Sequence, residues 1–160
     1  MPVVKVLDTH VTYAVNGQGP ALVLVAGTGG NLDSNWAHLV DPLATHRMVV
    51  RPDYSGSGET TDPAGELSLD LLAAQVLAAA QAAGADRFDL VGFSLGACVA
   101  AQLAATHPGR VRSLTLLAGF SHGQDPPHAD AIRTLAQSDP QRSTRLRPAD
   151  PADRLQPRFS

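Results

Sequence analysis

The sequence predicts a three-layer α/β fold, with a mostly parallel central sheet and helices on both faces. Apolar runs of strand length, such as residues 21–25 and 113–117, are typical of strands that are buried on both faces. Alanine-rich segments of helical length alternate with these runs, as in right-handed strand–helix–strand crossovers. The length of 160 residues suits one modest domain, which we place at residues 1–119.

In the first half of the chain, residues 3–15 predict an antiparallel hairpin at the edge of the sheet. Residues 21–25 form the first predicted central strand. Asp33 or Ser34 is expected to cap the helix that follows, and residues 48–50 predict the next buried strand.

In the second half, Ser68 is the expected N-cap of a helix over residues 69–83. Residues 88–91 predict a strand, residues 95–106 a helix, and residues 113–117 a further buried strand.

The remaining residues, 120–160, hold half of the prolines and only scattered apolar positions. Apart from one short helix at residues 129–137, we expect this tail to be weakly structured.

Composition excludes several classes of function. With 12 basic and 15 acidic residues the net charge is −3, which argues against nucleic acid or an anionic membrane as a partner. Cys98 is the single cysteine, so neither an intramolecular disulfide nor a multi-cysteine zinc site can form. We find no signal-peptide pattern and no apolar run of membrane-spanning length, so we expect a cytoplasmic protein.

The chemical motif is Gly92-Phe93-Ser94-Leu95-Gly96, a G-x-S-x-G sequence between a predicted strand and a predicted helix. In that setting the motif makes a nucleophile elbow, which raises the serine hydroxyl above the sheet edge. Small residues are needed at both glycine positions because side chains there would collide with neighbouring backbone. The plainer alternative is that Ser94 only caps the helix.

Two backbone groups are candidates for an oxyanion hole. The Leu95 N–H is free at the start of the helix, and the Thr28 N–H lies in the glycine-rich loop at residues 26–30, which follows a central strand. A phosphate-binding loop is the weaker alternative, because the segment has neither a Lys-Ser/Thr ending nor the G-x-G-x-x-G spacing.

These motifs together resemble the α/β-hydrolase family, in its small esterase, peroxidase-like and aminopeptidase-like branch. Besides the elbow, residues 51–59 resemble the D-x-x-G-x-G loop of the family, residues 107–114 resemble the segment after its nucleophile helix, and Asn35-Trp36 fits the helix after the oxyanion loop. The resemblance implies Ser94 as nucleophile, and Thr28 and Leu95 as oxyanion donors. Ala26 departs from the pattern, because many relatives have histidine there.

The resemblance also implies an acid and a histidine after later strands, and no apolar run after Gly119 predicts those strands. We therefore expect a core that is truncated relative to the family. Among the late histidines, His122 is the candidate base because it follows closely behind a strand, and the plainer alternative is that it is a solvated loop histidine. His107 suits a helix end, and His128 follows no strand. The late acids are Asp125, Asp130, Asp139, Asp150 and Asp153.

Two other reactive side chains have structural interpretations. Asp53 lies in a glycine-rich turn, and Cys98 is expected to be a small core residue.

The expected function is acyl transfer to water from a small-molecule substrate, without metal or cofactor. Esterase, peroxidase-like and aminopeptidase-like activities stay open at this point. A different hypothesis is a non-catalytic truncated scaffold or small-molecule binding module. A third is a homodimer in which the partner completes the open sheet edge.

Overall fold

The computed structural model describes residues 1–60, 62 and 67–119. Within them the chain forms six strands and three helices. The strands are β1 (Val3–Val6), β2 (Thr9–Asn16), β3 (Ala21–Val25), β4 (Met48–Pro52), β5 (Phe88–Phe93) and β6 (Val111–Leu117). The helices are α1 (Ala37–Ala44), α2 (Leu69–Ala82) and α3 (Leu95–Thr106). This order confirms the predicted alternation of strands and helices.

All six strands belong to one sheet in the order β1-β2-β4-β3-β5-β6. The β1–β2 hairpin and the β2–β4 pair are antiparallel, whereas β4, β3, β5 and β6 run parallel to one another. The carboxyl ends of these four parallel strands therefore meet at one edge. Ligands of open α/β sheets bind beyond this edge.

The central strand β3 is buried along its whole length because helices cover both faces of the sheet. Leu22 and Leu24 pack with Val40 of α1 on one face. Val23 and Val25 point to the other face and join the core formed with α2 and α3. Alternation of side chains between the two faces explains why this run is apolar at every position.

Side-chain hydrogen bonds fix α2 at its start and near its middle. The Ser68 hydroxyl accepts a hydrogen bond from the Leu71 N–H at 3.1 Å, which confirms the predicted N-cap. Gln75 is fully buried and binds Ser55 twice, through its carbonyl to the Ser55 N–H at 2.7 Å and through its amide to the Ser55 hydroxyl at 2.6 Å. These contacts tie the loop after β4 to α2.

The predicted cap of α1 is wrong. The N-cap residue is Trp36, and no side chain caps it. Ser34 instead hydrogen-bonds Asn31, and the Asp33 carboxylate pairs with the guanidinium of Arg51. Ser34 is thus bound by a residue nearby in the sequence and Asp33 by a residue 18 positions away, so neither caps the helix. Propensity at a single position does not reveal such partners.

The last strand also differs from the prediction. We predicted residues 113–117 as a buried strand, but Leu114, Leu116 and Leu117 of β6 are 39%, 47% and 43% exposed. Within the described residues β6 pairs only with β5, and an apolar run does not specify how many neighbours a strand has. Pairing of this edge with a second copy stays a prediction. The predicted tail at residues 120–160, with its helix at 129–137, lies outside the described residues.

None of the three helices in the described ranges is long and apolar enough to cross a membrane.

Asp89 joins several strands at the opposite edge of the sheet. Its carboxylate accepts two hydrogen bonds of 3.0 Å from the Arg112 guanidinium, one of 2.7 Å from the Ser113 hydroxyl, and another from Arg47. Both arginines also donate to the Ala21 carbonyl, so that β3, β5, β6 and the residue just before β4 share one network. The hydrogen bonds from Arg112, in particular, hold the pKa of Asp89 well below its ordinary value.

This network predicts how stability depends on pH. A carboxyl whose pKa is lower in the folded chain stabilises the fold above its ordinary pKa of about 3.9, and the contribution is lost as pH falls. We expect Asp89→Asn to lower the free energy of unfolding by about 1–2 kcal/mol at neutral pH. In urea titrations, its difference from the wild type should shrink toward low pH.

The matched control is Asp86→Asn, because the Asp86 side chain is 97% exposed and lies 3.5 Å from Arg110. This variant should stay within about 0.5 kcal/mol of the wild type. Equal effects of the two substitutions would contradict a structural role for the network.

Candidate active site

Ser94 lies alone between the end of β5 and the start of α3, with φ 54° and ψ −120°. For a non-glycine residue, such a backbone conformation costs about 1–3 kcal/mol and persists only where the surroundings enforce it. Two backbone hydrogen bonds do so here. The Ser94 N–H donates to the Leu117 carbonyl at 2.9 Å, and the Ser94 carbonyl accepts from the Ala97 N–H at 3.0 Å.

The two glycines of the motif have no room for a side chain. A Cβ atom at Gly92 would lie 2.2 Å from the Gly96 carbonyl oxygen. A Cβ atom at Gly96 would lie 2.3 Å from the Val25 carbonyl oxygen and 2.4 Å from that of Ala26. These contacts confirm the predicted reason for glycine, and they place the end of β3 directly against the first turn of α3.

The Ser94 hydroxyl is not used as a helix cap. Ser94 occupies the N-cap position of α3, but its side chain makes no capping hydrogen bond. The residue is only half-buried. The structure therefore contradicts the alternative in which Ser94 serves as a capping residue.

The loop at residues 26–30, which we call the oxyanion loop after the role that the family resemblance implies, lies beside Ser94. A Cβ atom at Gly27 would be 3.2 Å from the Cβ atom of Ser94. The Gly27 carbonyl accepts a hydrogen bond from the Gly30 N–H at 3.2 Å, which closes a tight turn. Among the described residues, the Thr28 and Leu95 N–H groups have no acceptor.

The histidines of the described ranges make no hydrogen bond to Ser94. His107 is the C-cap residue of α3 and binds the Thr106 hydroxyl through Nδ1 at 2.9 Å. Since Ser94 and His107 flank the 12 residues of α3, they lie about 20 Å apart along the helix. The helix-end position of His107 is thus confirmed.

The candidate base His122, together with His128, falls outside the described residues. The same holds for the late acids Asp125, Asp130, Asp139, Asp150 and Asp153.

Asp53 stabilises the turn after β4 through hydrogen bonds, as predicted. It is 2% exposed, and its carboxylate accepts a hydrogen bond of 3.3 Å from the Glu59 N–H. Its carbonyl accepts from the Thr60 hydroxyl at 2.5 Å. Burial raises the pKa of Asp53 above its ordinary value. Gly58 has φ +50° and packs so closely that a Cβ atom there would overlap the Asp53 carboxylate.

Cys98 lies on α3, four residues after Ser94, and is half-buried against the core formed with α2. In the described ranges, no group of three or more His, Cys, Asp or Glu side chains is placed to hold a metal ion.

Sequence analysis missed two residues that hydrogen-bond the oxyanion loop. The Tyr54 hydroxyl donates to the Ala26 carbonyl at 2.7 Å, and the Asn35 side-chain carbonyl accepts from the Gly27 N–H at 3.0 Å. Both residues lie in segments that resemble family motifs. The motifs do not indicate, however, which backbone groups the side chains of Tyr54 and Asn35 bind.

Comparison with known proteins supports the interpretation of the fold. The sequence matches the family described as alpha/beta hydrolase fold over residues 20–160. It is 52% identical, over 122 residues, to a pyrrolizixenacetamide deacetylase of Xenorhabdus hominickii, a match that covers 76% of this chain and 46% of the relative.

Two solved structures have the same architecture. An N-acyl homoserine lactone degrading enzyme superposes with a TM-score of 0.74 at 28% identity, over 82% of this chain and 52% of that one. The enol-lactonase from Burkholderia xenovorans superposes with a TM-score of 0.66 at 30% identity, over 71% of this chain and 45% of that one. The chain thus spans about half the length of these relatives. Because the family match covers most of its residues, the chain belongs to the alpha/beta hydrolase family.

Proposed function

We propose that the protein is a serine hydrolase that cleaves an acyl bond of a small molecule, with Ser94 as the nucleophile. The observation that carries the proposal is the conformation of Ser94, which stands at φ 54° between β5 and α3 with a hydroxyl that does not cap the helix. Strain of this kind at the carboxyl edge of a parallel sheet is typical of a functional residue.

In the proposed reaction the Ser94 Oγ atom attacks the substrate carbonyl carbon while its proton passes to a general base. The Thr28 and Leu95 N–H groups, which are free within the described residues, stabilise the negative charge on the carbonyl oxygen. Collapse of this intermediate breaks the acyl bond, and the leaving alcohol or amine takes the proton from the base. Water then attacks the acyl-enzyme and releases the acid, which restores Ser94.

The general base of this proposal comes from outside the described residues. His107 is excluded by its place at the far end of α3. His122 remains the candidate within this chain, because it follows soon after β6, whose Leu117 carbonyl binds the Ser94 N–H.

The substrate class that we propose is a small ester or amide. The relative at 52% identity is a deacetylase by name, and the two structural relatives act on lactones by theirs. Acetamides and lactones share a carbonyl carbon bonded to a heteroatom leaving group, so one nucleophile and one oxyanion hole serve both. The proposed chemistry needs no metal or cofactor.

The first test is labelling by a fluorophosphonate probe, which reacts with an activated serine. We expect the wild type to be labelled and Ser94→Ala to lose the label, while circular dichroism shows both to be folded. Ser113→Ala is the matched control, because Ser113 lies at the opposite edge of the sheet and should keep full labelling. A folded wild type that takes no label would reject the hydrolase in favour of a binding module.

A second test concerns the acyl group. We expect 4-nitrophenyl acetate to be hydrolysed faster than the octanoate ester, because the relative at 52% identity is a deacetylase by name. Steady-state kcat/KM for an acyl-chain series measures this preference. A maximum at the octanoate would contradict the proposed acetyl substrate.

A further inference from the structure

We propose that Tyr54 and Asn35 are positioning residues that hold one peptide unit of the oxyanion loop from both sides. This inference rests on the proposed function. The unit joins Ala26 to Gly27. Its carbonyl accepts from the Tyr54 hydroxyl at 2.7 Å, and its N–H donates to the Asn35 side chain at 3.0 Å. Two side chains from different segments thus fix the orientation of this peptide plane, which directly precedes the peptide that carries the Thr28 N–H.

Tyr54 is suited to hold the loop and unsuited to touch a substrate. It is fully buried, and its hydroxyl is committed to the Ala26 carbonyl. Burial raises the pKa of the Tyr54 phenol, so the group remains a donor throughout the range of enzyme assays. The same carbonyl faces Gly96 in the first turn of α3, so that it is enclosed between the Tyr54 hydroxyl and the nucleophile helix.

The next peptide unit transmits this orientation to the oxyanion donor. The Gly27 carbonyl binds the Gly30 N–H at 3.2 Å. Because the C=O and N–H of a planar trans peptide point in opposite directions, the Thr28 N–H faces away from this turn. A rotation of the Ala26–Gly27 unit would therefore misdirect the Thr28 N–H.

The loop after β4 is rigid enough to act as the support. The Ser57 N–H and hydroxyl donate to the Tyr54 carbonyl at 2.9 and 2.6 Å, and the Gly58 N–H donates to the Gly30 carbonyl at 3.2 Å. Ser55 is bound on both its N–H and its hydroxyl by Gln75. The loop thus holds the oxyanion loop at its beginning, through Tyr54, and at its end, through Gly58.

The experiment compares Tyr54→Phe with Tyr13→Phe in the full-length protein. Tyr13 is also buried, on β2, and its hydroxyl makes no hydrogen bond to the loop, so that its substitution removes the same atom elsewhere. The first measurement is hydrogen exchange of the amides at residues 26–30 without substrate. Tyr54→Phe should accelerate it about fivefold, as expected for the loss of one buried hydrogen bond, and Tyr13→Phe should not.

The second measurement is the kinetics of 4-nitrophenyl acetate hydrolysis, well below the melting temperature. Tyr54→Phe and Asn35→Ala should lower kcat about tenfold or more, with KM changed less than about twofold, because a misdirected donor weakens binding of the transition state. Asn35→Asp retains an acceptor for the Gly27 N–H and should restore most of kcat.

The outcomes separate this inference from the proposed function. Unchanged exchange at residues 26–30 in Tyr54→Phe, or an unchanged kcat in an active enzyme, would overturn the positioning role while leaving the hydrolase intact. A wild type that neither takes a fluorophosphonate label nor hydrolyses the ester would reject the hydrolase, and with it any catalytic role for the two residues.

Discussion

The site depends on the close approach between the end of β3 and the first turn of α3. A Cβ atom at Gly96 would fall 2.3 and 2.4 Å from two carbonyl oxygens of the β3 segment, so the backbones are in direct contact. Because the two backbones touch, the chain does not enter α3 through an ordinary backbone conformation. Ser94 adopts φ 54° instead. The same contact brings the oxyanion loop beside the serine. One packing constraint therefore produces the strained residue and the adjacent free N–H groups together.

The sheet supplies the rigidity that this arrangement requires. β3 is buried at every position, and its partners β4 and β5 are parallel to it. The Leu117 carbonyl at the end of β6 fixes the Ser94 N–H, so that the strained turn is bonded to a neighbouring strand as well as to its own helix. At the opposite edge, the Asp89 network joins β3, β5 and β6. Strain near Ser94 is thus opposed by hydrogen bonds and burial distributed over the core.

Local sequence patterns predicted most of the core and the central part of the site. The alternation of apolar runs and alanine-rich segments predicted the strands and helices, and the two glycines around Ser94 predicted the elbow. The exposure of β6 could not be predicted, because an apolar run does not reveal whether a strand has one neighbour or two. The hydrogen bond from Tyr54 to Ala26 joins residues 28 positions apart, and only the sheet order brings them together. The Ala26 side chain packs in the core on the α1 side, and its carbonyl accepts the hydrogen bond from Tyr54. Neither contact requires a histidine at this position.

The most direct test of the account is to find the acyl-enzyme. The full-length protein would be incubated briefly with 4-nitrophenyl acetate, quenched in acid and digested, and mass spectrometry would locate any acetyl group. The account predicts acetylation of the peptide that contains Ser94, and its absence when the protein is unfolded before the reaction. Acetylation confined to other residues, or hydrolysis that persists in Ser94→Ala, would contradict the assignment of Ser94 as the nucleophile.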